Sequence, residues 1–404
     1  MNNGRGRPSA SVFNNAIGQI SDRLDSIEKR SYGAERFRGA TKEWNDKLSA
    51  EAMEVTIEQL LSDPYYLGNF NIWPSVRKEI EEIWHMRCDF NVTLLDENEK
   101  PLKVDTTYAL TYEHAEEKVR AKWPRLSQVA PTAKVWRNRD IHTVIIETPK
   151  GTGKDFEMSI LIVLLVREYL IQDRKKFFKP YNLDIDTPIS INCANRSEVQ
   201  AKKVTFKEVL PKFNTPFFRD YFPPQIDIAS TLDSRIYPSE LAFPRNIAVF
   251  PGSGEASTGL GYTFGAAVID ECNFMSKSDS SKRSILGESN YDAADEIYTD
   301  SHRRHFSRLS TIRNGKEVCA GIIVGISSTI GGLSFTQRMK VRAEDDDGIL
   351  YINNFYWDRK PLPLSGKTFQ FDLNAMAVVD PEKALQTKDE LNIENTQVQD
   401  LLTE

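Results

Sequence analysis

The stretch Val144-Ile145-Ile146-Glu147-Thr148-Pro149-Lys150-Gly151-Thr152-Gly153-Lys154-Asp155-Phe156 constrains this chain more than any other. It is a β-branched apolar run, then a glycine-containing turn, then a run with helical periodicity. That order aims loop amides and a helix N-terminus at one point, and both favour an anion. The glycines let the backbone approach, and Lys154 reaches the terminal phosphates. Against the pattern G-x-x-x-x-G-K-[ST], two positions depart. Thr148 stands where the first Gly belongs, and Asp155 where the Mg²⁺-binding hydroxyl belongs. A carboxylate suits a first helical turn and can serve Mg²⁺ directly or through water, yet its charge repels phosphate. The candidate nucleotide-binding residues are Thr148, Pro149, Lys150, Gly151, Thr152, Gly153, Lys154, Asp155 and Phe156. The plain alternative is a strand-to-helix turn with an exposed lysine.

A second site lies downstream. Gly265-Ala266-Ala267-Val268-Ile269-Asp270-Glu271 is an apolar strand ending in two adjacent carboxylates. After a phosphate loop, the first acid suits Mg²⁺ and the second suits activation of an attacking water. Asp270 and Glu271 fit those roles in that order, and Asp155 is a further candidate metal ligand. A third element, Ile322-Ile323-Val324-Gly325-Ile326-Ser327-Ser328-Thr329, ends in small hydroxyl residues. Ser327, Ser328 and Thr329 are candidates for coupling the nucleotide to a distant surface, because such hydrogen bonds can change with the γ-phosphate.

Around these motifs, short β-branched runs alternate with long helical patterns. Strands are expected at Thr143–Glu147, Pro188–Cys193, Asn246–Phe250, Ala266–Asp270 and Cys319–Ile326. Helices are expected at about Asp155–Gln172, Arg196–Phe213 and Phe335–Ala343. The alternation predicts an α/β fold with a mostly parallel sheet and helices on both faces. Upstream, Asp96–Pro101 reads as a turn between two strands, and helices are expected over Glu43–Leu61 and Pro74–Met86. Phe13, Ile17, Ile20, Leu24 and Ile27 form a short heptad seam behind a polar arm containing Arg5-Gly6-Arg7-Pro8, so a helical N-terminal extension is expected. The arm's tetrapeptide is also a weak minor-groove signature.

With 404 residues, two to four domains fit. The expected divisions are an arm and helix over 1–40, a helical lead-in with a small insertion over 41–140, a phosphate-loop core over 141–360 and a lid or linker tail over 361–404. The net charge of -6 excludes a wholesale polycation. It does not exclude nucleic acid, because binding needs only a local basic stripe. The densest run holds His302, Arg303, Arg304, His305, Arg308, Arg313 and Lys316, of which Arg303, Arg304 and Arg308 are the candidate DNA contacts. Arg338, Lys340 and Arg342 form a second run, and Arg174, Lys175 and Lys176 a third. The pair His302 and His305 lacks the acid or Cys that would complete a metal site. Four dispersed cysteines argue against a disulfide framework, and no apolar run reaches the roughly 18 residues of a membrane span. No signal peptide is apparent, and a cytoplasmic setting is expected.

Taken in order, these pieces resemble the ATPase domain of the large terminase subunit of tailed bacteriophages, over roughly residues 60–375. The carriers are Lys150-Gly151-Thr152-Gly153-Lys154 as a deviant Walker A and Ile191–Val204 as the second strand and its helix. Phe250–Gly254 with Gly259-Leu260-Gly261 matches the loop before the Walker B. Asp270–Met275 matches the Walker B, and Ser327–Thr329 the coupling motif. The resemblance implies a P-loop NTPase fold of the ASCE, RecA-like type. It implies Mg²⁺-dependent hydrolysis of ATP that drives double-stranded DNA through a portal protein into a procapsid. Lys154, Lys150 and Glu271 would then be catalytic. The partners implied are duplex DNA, the portal, the small terminase subunit and further copies in a ring, commonly a pentamer, acting in the host cytoplasm with no membrane. The family offers an arginine from a neighbouring subunit, for which Arg235, Arg245 and Arg283 are candidates. Tyr66 and Trp73 are candidates near adenine. The family's nuclease domain is expected to be absent, since the tail with Asp372, Asp380, Glu382, Asp389 and Glu390 is too short for it. A helicase-like or remodelling ATPase, and a scaffold that has kept the fold without turnover, are the alternative readings.

Overall fold

A computed structural model describes residues 51–226, 228–234, 237–252, 263–275, 277–278, 291–330, 334–359, 371–372 and 377–378. The expected arm and heptad helix, the loop before Asp270, and Arg235 and Arg283 lie outside these residues. Packing divides the chain into Met1–Met53 and Glu54–Glu404; the second unit is described below.

The lead-in begins with α1 (Ile57–Ser62), where Thr56 and Gln59 form a reciprocal capping box. A single helix over Glu43–Leu61 is therefore a misreading, since the extended Thr56 starts a new one. Next come α2 (Pro74–Cys88), opened by its proline, then β1 (Asp89–Leu95) and β2 (Pro101–Tyr108). After α3 (Tyr112–Lys122), β3 (Thr132–Arg137) completes an antiparallel sheet in the order β2-β1-β3. The apolar core of this sheet includes Val318 from far downstream. Arg87 of α2 also makes a two-pronged pair with buried Glu168, both nitrogens at 2.9 Å. The expected boundary at 140/141 is thus bridged by packing within one unit.

The core starts with β4 (Thr143–Glu147) and α4 (Lys154–Ile171), and continues through β5 (Ile189–Ala194). The expected helix over Arg196–Phe213 begins after the Ser197 cap. It passes through a π stretch at Ala201–Phe206 before α5 (Lys207–Phe213). Then follow β6 (Leu241–Phe243), β7 (Ile247–Gly252), β8 (Thr263–Asp270) and α6 (Ala293–Leu309). The strand expected over Cys319–Ile326 is two strands. A hairpin of β9 (Ser310–Arg313) and β10 (Lys316–Cys319) turns at Ala320-Gly321 into β11 (Ile322–Ser327). Last are α7 (Phe335–Asp345), β12 (Ile349–Asn353) and α8 (Tyr356–Arg359).

The main sheet has seven strands in the order β12-β4-β11-β8-β5-β7-β6. All neighbours are parallel except β6 against β7. Every residue of β4, β5, β8 and β11 is buried, as in central strands covered on both faces. α4 is buried nearly all round from Glu157 to Ile171, so it is an internal helix. Among the described residues no helix is long and apolar enough to cross a membrane.

Candidate nucleotide site

Ligand sites in open parallel sheets form at the carboxyl ends of the strands. Here the register brings the motifs to that edge together. Ile326 pairs with Asp270 and Ser327 with Glu147, so β8, β11 and β4 end at one level.

The loop after β4 is shaped by hydroxyls. Thr152 Oγ1 donates to Pro149 O at 2.6 Å, which leaves Thr148 Oγ1 as donor in the 2.8 Å bond between the two hydroxyls. Thr148 is fully buried, and its N–H donates to Ser327 O at 3.0 Å. The threonine in place of the first glycine therefore closes the loop from inside. Gly151 and Gly153 take φ of 74° and 81°, a left-handed backbone that L side chains rarely adopt. Gly153 is the N-cap of α4, so Lys154 and Asp155 open that helix.

Glu271 also has left-handed backbone, at φ 53° and ψ 39°. This turn at the end of β8 brings its Oε1 to 2.8 Å from Lys154 Nζ, while Asp155 Oδ1 lies 3.6 Å from the same nitrogen. Burial pulls the Lys154 pKa down. The Glu271 hydrogen bond and the charges of Asp155, Glu271 and Asp270 outweigh it, so the ammonium is held more firmly than usual. Asp270 is 1% exposed. Burial, then the charges of Asp155 and Glu271, push its pKa up to about 7 against the pull of Lys154. Its Oδ2 accepts from Asn195 Nδ2 at 2.8 Å, and among the described residues its Oδ1 has no hydrogen-bond partner. Among the described residues no three His, Cys, Asp or Glu side chains cluster as a self-sufficient metal cage. Mg²⁺ seldom needs one, since it takes one or two carboxylates plus phosphate oxygens and water. The unpartnered Asp270 oxygen and nearby Asp155 fit that pattern.

The hydroxyl turn after β11 joins both motifs. Ser327 presents its carbonyl to Thr148 N–H, and its Oγ accepts from Asn273 N–H at 3.0 Å. Asn273 Nδ2 donates to Ser328 O (3.0 Å) and Thr336 Oγ1 (2.9 Å), and its Oδ1 accepts from Thr336 N–H. One buried asparagine thus ties the Glu271 turn, the hydroxyl turn and the start of α7. Thr329 is exposed.

A cleft of about 230 Å³ opens on this edge, lined among others by Lys150, Asp155, Asn195, Arg196, Asp270 and Glu271. Lys150 Nζ sits 5.3 Å from the Phe274 ring centre. Sequence reading singled out neither Asn195, Arg196 nor Asn273 as site residues. Asn and Arg after a strand carry no motif of their own, and only the Ile191–Val204 resemblance pointed to the region.

The other expected positions are placed as follows. The Phe156 ring packs under buried Lys212, whose Nζ is 4.2 Å from its centre, so only its backbone can serve the loop. Tyr66 packs on Phe217 and Arg167, whereas Trp73 lies beside Gly153. Arg245 directs its guanidinium to the carbonyls of Leu170 and Gln172 at the end of α4, so it is not offered to a neighbour. In the basic run, Arg304 pairs with Asp300 at 2.9 Å and covers the Phe264 ring. His305 is buried and Arg313 pairs with Glu113. Arg303, Arg308 and Lys316 remain exposed. Arg338 and Arg342 both reach Asp295, and Arg174 binds the carbonyls of Ile185, Thr187 and Arg245.

Residues 107–311 match the family model described as "Uncharacterized protein MJ0330, N-terminal P-loop domain". No curated protein sequence matches. Among solved structures, the chain is similar to the HK97 bacteriophage large terminase, at 16% identity over 53% of this chain and 35% of that one, with TM-score 0.34. It is also similar to the large terminase from a thermophilic bacteriophage, at 10% identity over 56% and 43%, with TM-score 0.34. The ATPase domain of the Thermus phage P74-26 large terminase follows, at 13% identity over 55% and 79%, with TM-score 0.28. The chain thus spans well under half of the first two, and at these scores the likeness carries no argument about activity.

Proposed function

This chain belongs to the P-loop family whose model matches residues 107–311, and on that premise we propose that it is an Mg²⁺-dependent ATPase that moves double-stranded viral DNA into a procapsid. The observation that carries the ATPase reading is the convergence of Lys154, Asp270 and Glu271 at one sheet edge, with Glu271 2.8 Å from Lys154. Packaging rests on the order of motifs along the chain, which resembles that of large terminases.

In this reading the loop amides, Lys154 and Lys150 hold the phosphates. Asp270, with Asp155, would hold Mg²⁺, whose charge would offset that on the phosphate oxygens. Glu271 accepts the proton of the attacking water. The water oxygen bonds to the terminal phosphorus as the bridging P–O bond breaks, giving ADP and inorganic phosphate. Lys154 must pass from the Glu271 carboxylate to phosphate, which frees Glu271 as base. Ser327 and Asn273 carry the change to α7. DNA contact falls to Arg303, Arg308 and Lys316. The portal, the small terminase subunit and sister copies in a ring would be partners, in the host cytoplasm.

A non-catalytic scaffold is the second reading, favoured by Asp155, which sets a negative charge where a hydroxyl normally meets Mg²⁺. ATP-driven displacement of a third strand from a DNA triplex tests the motor. Displacement without separation of the duplex supports translocation. Separation of a forked duplex indicates a helicase, and the absence of both activities, with ATP and Mg²⁺ present, contradicts the proposal.

A further inference from the structure

Resting on the ATPase reading, we infer that Arg196 grips the terminal phosphate of the nucleotide from within the same chain. Arg196 follows Asn195 at the carboxyl end of β5, the strand hydrogen-bonded to β8. Ala194 pairs with Ile269, so the next residues stand level with Asp270 and Glu271. Arg196, itself exposed, is among the residues lining the cleft with Lys150, Asp155, Asp270 and Glu271.

A buried amide fixes its backbone. Asn195, 3% exposed, accepts from Arg196 N–H at 2.6 Å and donates to Asp270 at 2.8 Å. The metal-site acid and the Arg196 backbone are therefore linked through one side chain. The π stretch that follows widens the helix there, a feature frequent at functional sites, and Gln200 and Val204 also reach the cleft.

Charge gives the reason for an arginine here. Asp155, Asp270 and Glu271 face Lys150, Lys154 and Arg196. Before nucleotide binds, Lys154 is shared between Glu271 and Asp155, and Lys150 lies over Phe274. Among the described residues the Arg196 guanidinium has no hydrogen bond or ion pair. With Asp270 ionised and before a metal binds, the side chains of the cleft without Arg196 would carry one net negative charge. A planar guanidinium matches a phosphoryl group with two parallel hydrogen bonds and can balance charge that grows on its oxygens.

The test compares wild type with Arg196→Ala and Arg196→Lys. Arg196→Ala is expected to lower kcat at least about 100-fold and to weaken a non-hydrolysable ATP analogue while leaving ADP affinity unchanged, with partial rescue by Arg196→Lys. A merely structural role would weaken both nucleotides alike. Mixing Arg196→Ala with Glu271→Ala chains separates the two directions of supply. An arginine acting within its own chain leaves the mixture inactive, and recovered turnover overturns the inference. So does a kcat within about threefold of wild type, or equal loss of both nucleotides. If wild type itself releases no phosphate, the ATPase reading falls and this inference with it. If Glu271→Ala is inactive while Arg196→Ala is not, only this inference falls.

Discussion

Glu271 places its carboxylate on Lys154 by means of a left-handed backbone that costs a non-glycine residue about 1–2 kcal/mol. Strain of this kind gathers at functional sites. Glu271→Gly and Glu271→Ala remove the same carboxylate but differ in that strain. Chemical denaturation should find the glycine variant more stable than the alanine variant by about 1 kcal/mol, with neither turning over ATP. Equal stability would place the strain elsewhere. Asp155 makes the opposite kind of prediction. Its Oδ1 lies 3.6 Å from Lys154 Nζ and competes with phosphate for that charge. Asp155→Thr should tighten nucleotide binding by about 1–2 kcal/mol, roughly five- to thirtyfold, measured by calorimetry with Mg²⁺ present. The threonine hydroxyl would take the carboxylate's place at the metal, and weaker binding would mean that it cannot replace Asp155 there.

At the scale of elements, the hydroxyl turn is a joint among β4, β11 and α7, and Asn273 is its pin. Asn273→Ala leaves buried partners on Ser328 and Thr336 unsatisfied. It should cost at least about 2 kcal/mol of stability. Nucleotide binding should survive while DNA stimulation of hydrolysis is lost; retained stimulation would remove Asn273 from the coupling path. This joint was half legible in the sequence. Ser327 and Ser328 end an apolar strand, a pattern that can be read, whereas Asn273 is one polar residue whose partners lie more than 50 positions away. The phosphate loop was legible for a local reason, because strand, glycines and helix succeed one another within a few turns of chain. The helix Ala293–Leu309 was not, because its buried face is built from Ala293, Ala294, Ser301 and His305 as well as Ile297 and Leu309. That mixture hides the helical period, and the same stretch reads instead as a basic run. Cys319–Ile326 reads as one apolar run because only Gly321 marks the turn. The ring of His305 approaches so closely there that a Cβ on Gly321 would lie 2.8 Å from it.

For the molecule as a whole, His305 is the clearest acid-sensitive point. It is buried against Gly321 at the turn between β10 and β11; burial, then the nearby His302, His142 and Arg87, lower its pKa from 6.5 to about 3. The unfolded chain then binds more protons than the folded one between those values, so stability rises with pH across that window and is lost on acidification. The slope from this group reaches about 1.4 kcal/mol per pH unit. His305→Leu, which removes the buried and unpartnered Nε2, should flatten the profile in pH-dependent denaturation; an unchanged slope would assign acid sensitivity to other groups. The net charge of -6 acts at the same scale. Several cations of the expected basic run are paired within the fold, so the proposed DNA grip would fall to exposed Arg303, Arg308 and Lys316 and should weaken steeply with salt. The sheet edge holding Lys154, Asp270 and Glu271 is the proposed seat of nucleotide hydrolysis. Phosphate release from ATP by the purified chain, with Mg²⁺ and duplex DNA present, tests that most directly. Release that needs Mg²⁺ and falls at least about 100-fold in Glu271→Ala is the predicted result. No release from wild type, or undiminished release from Glu271→Ala, would contradict it.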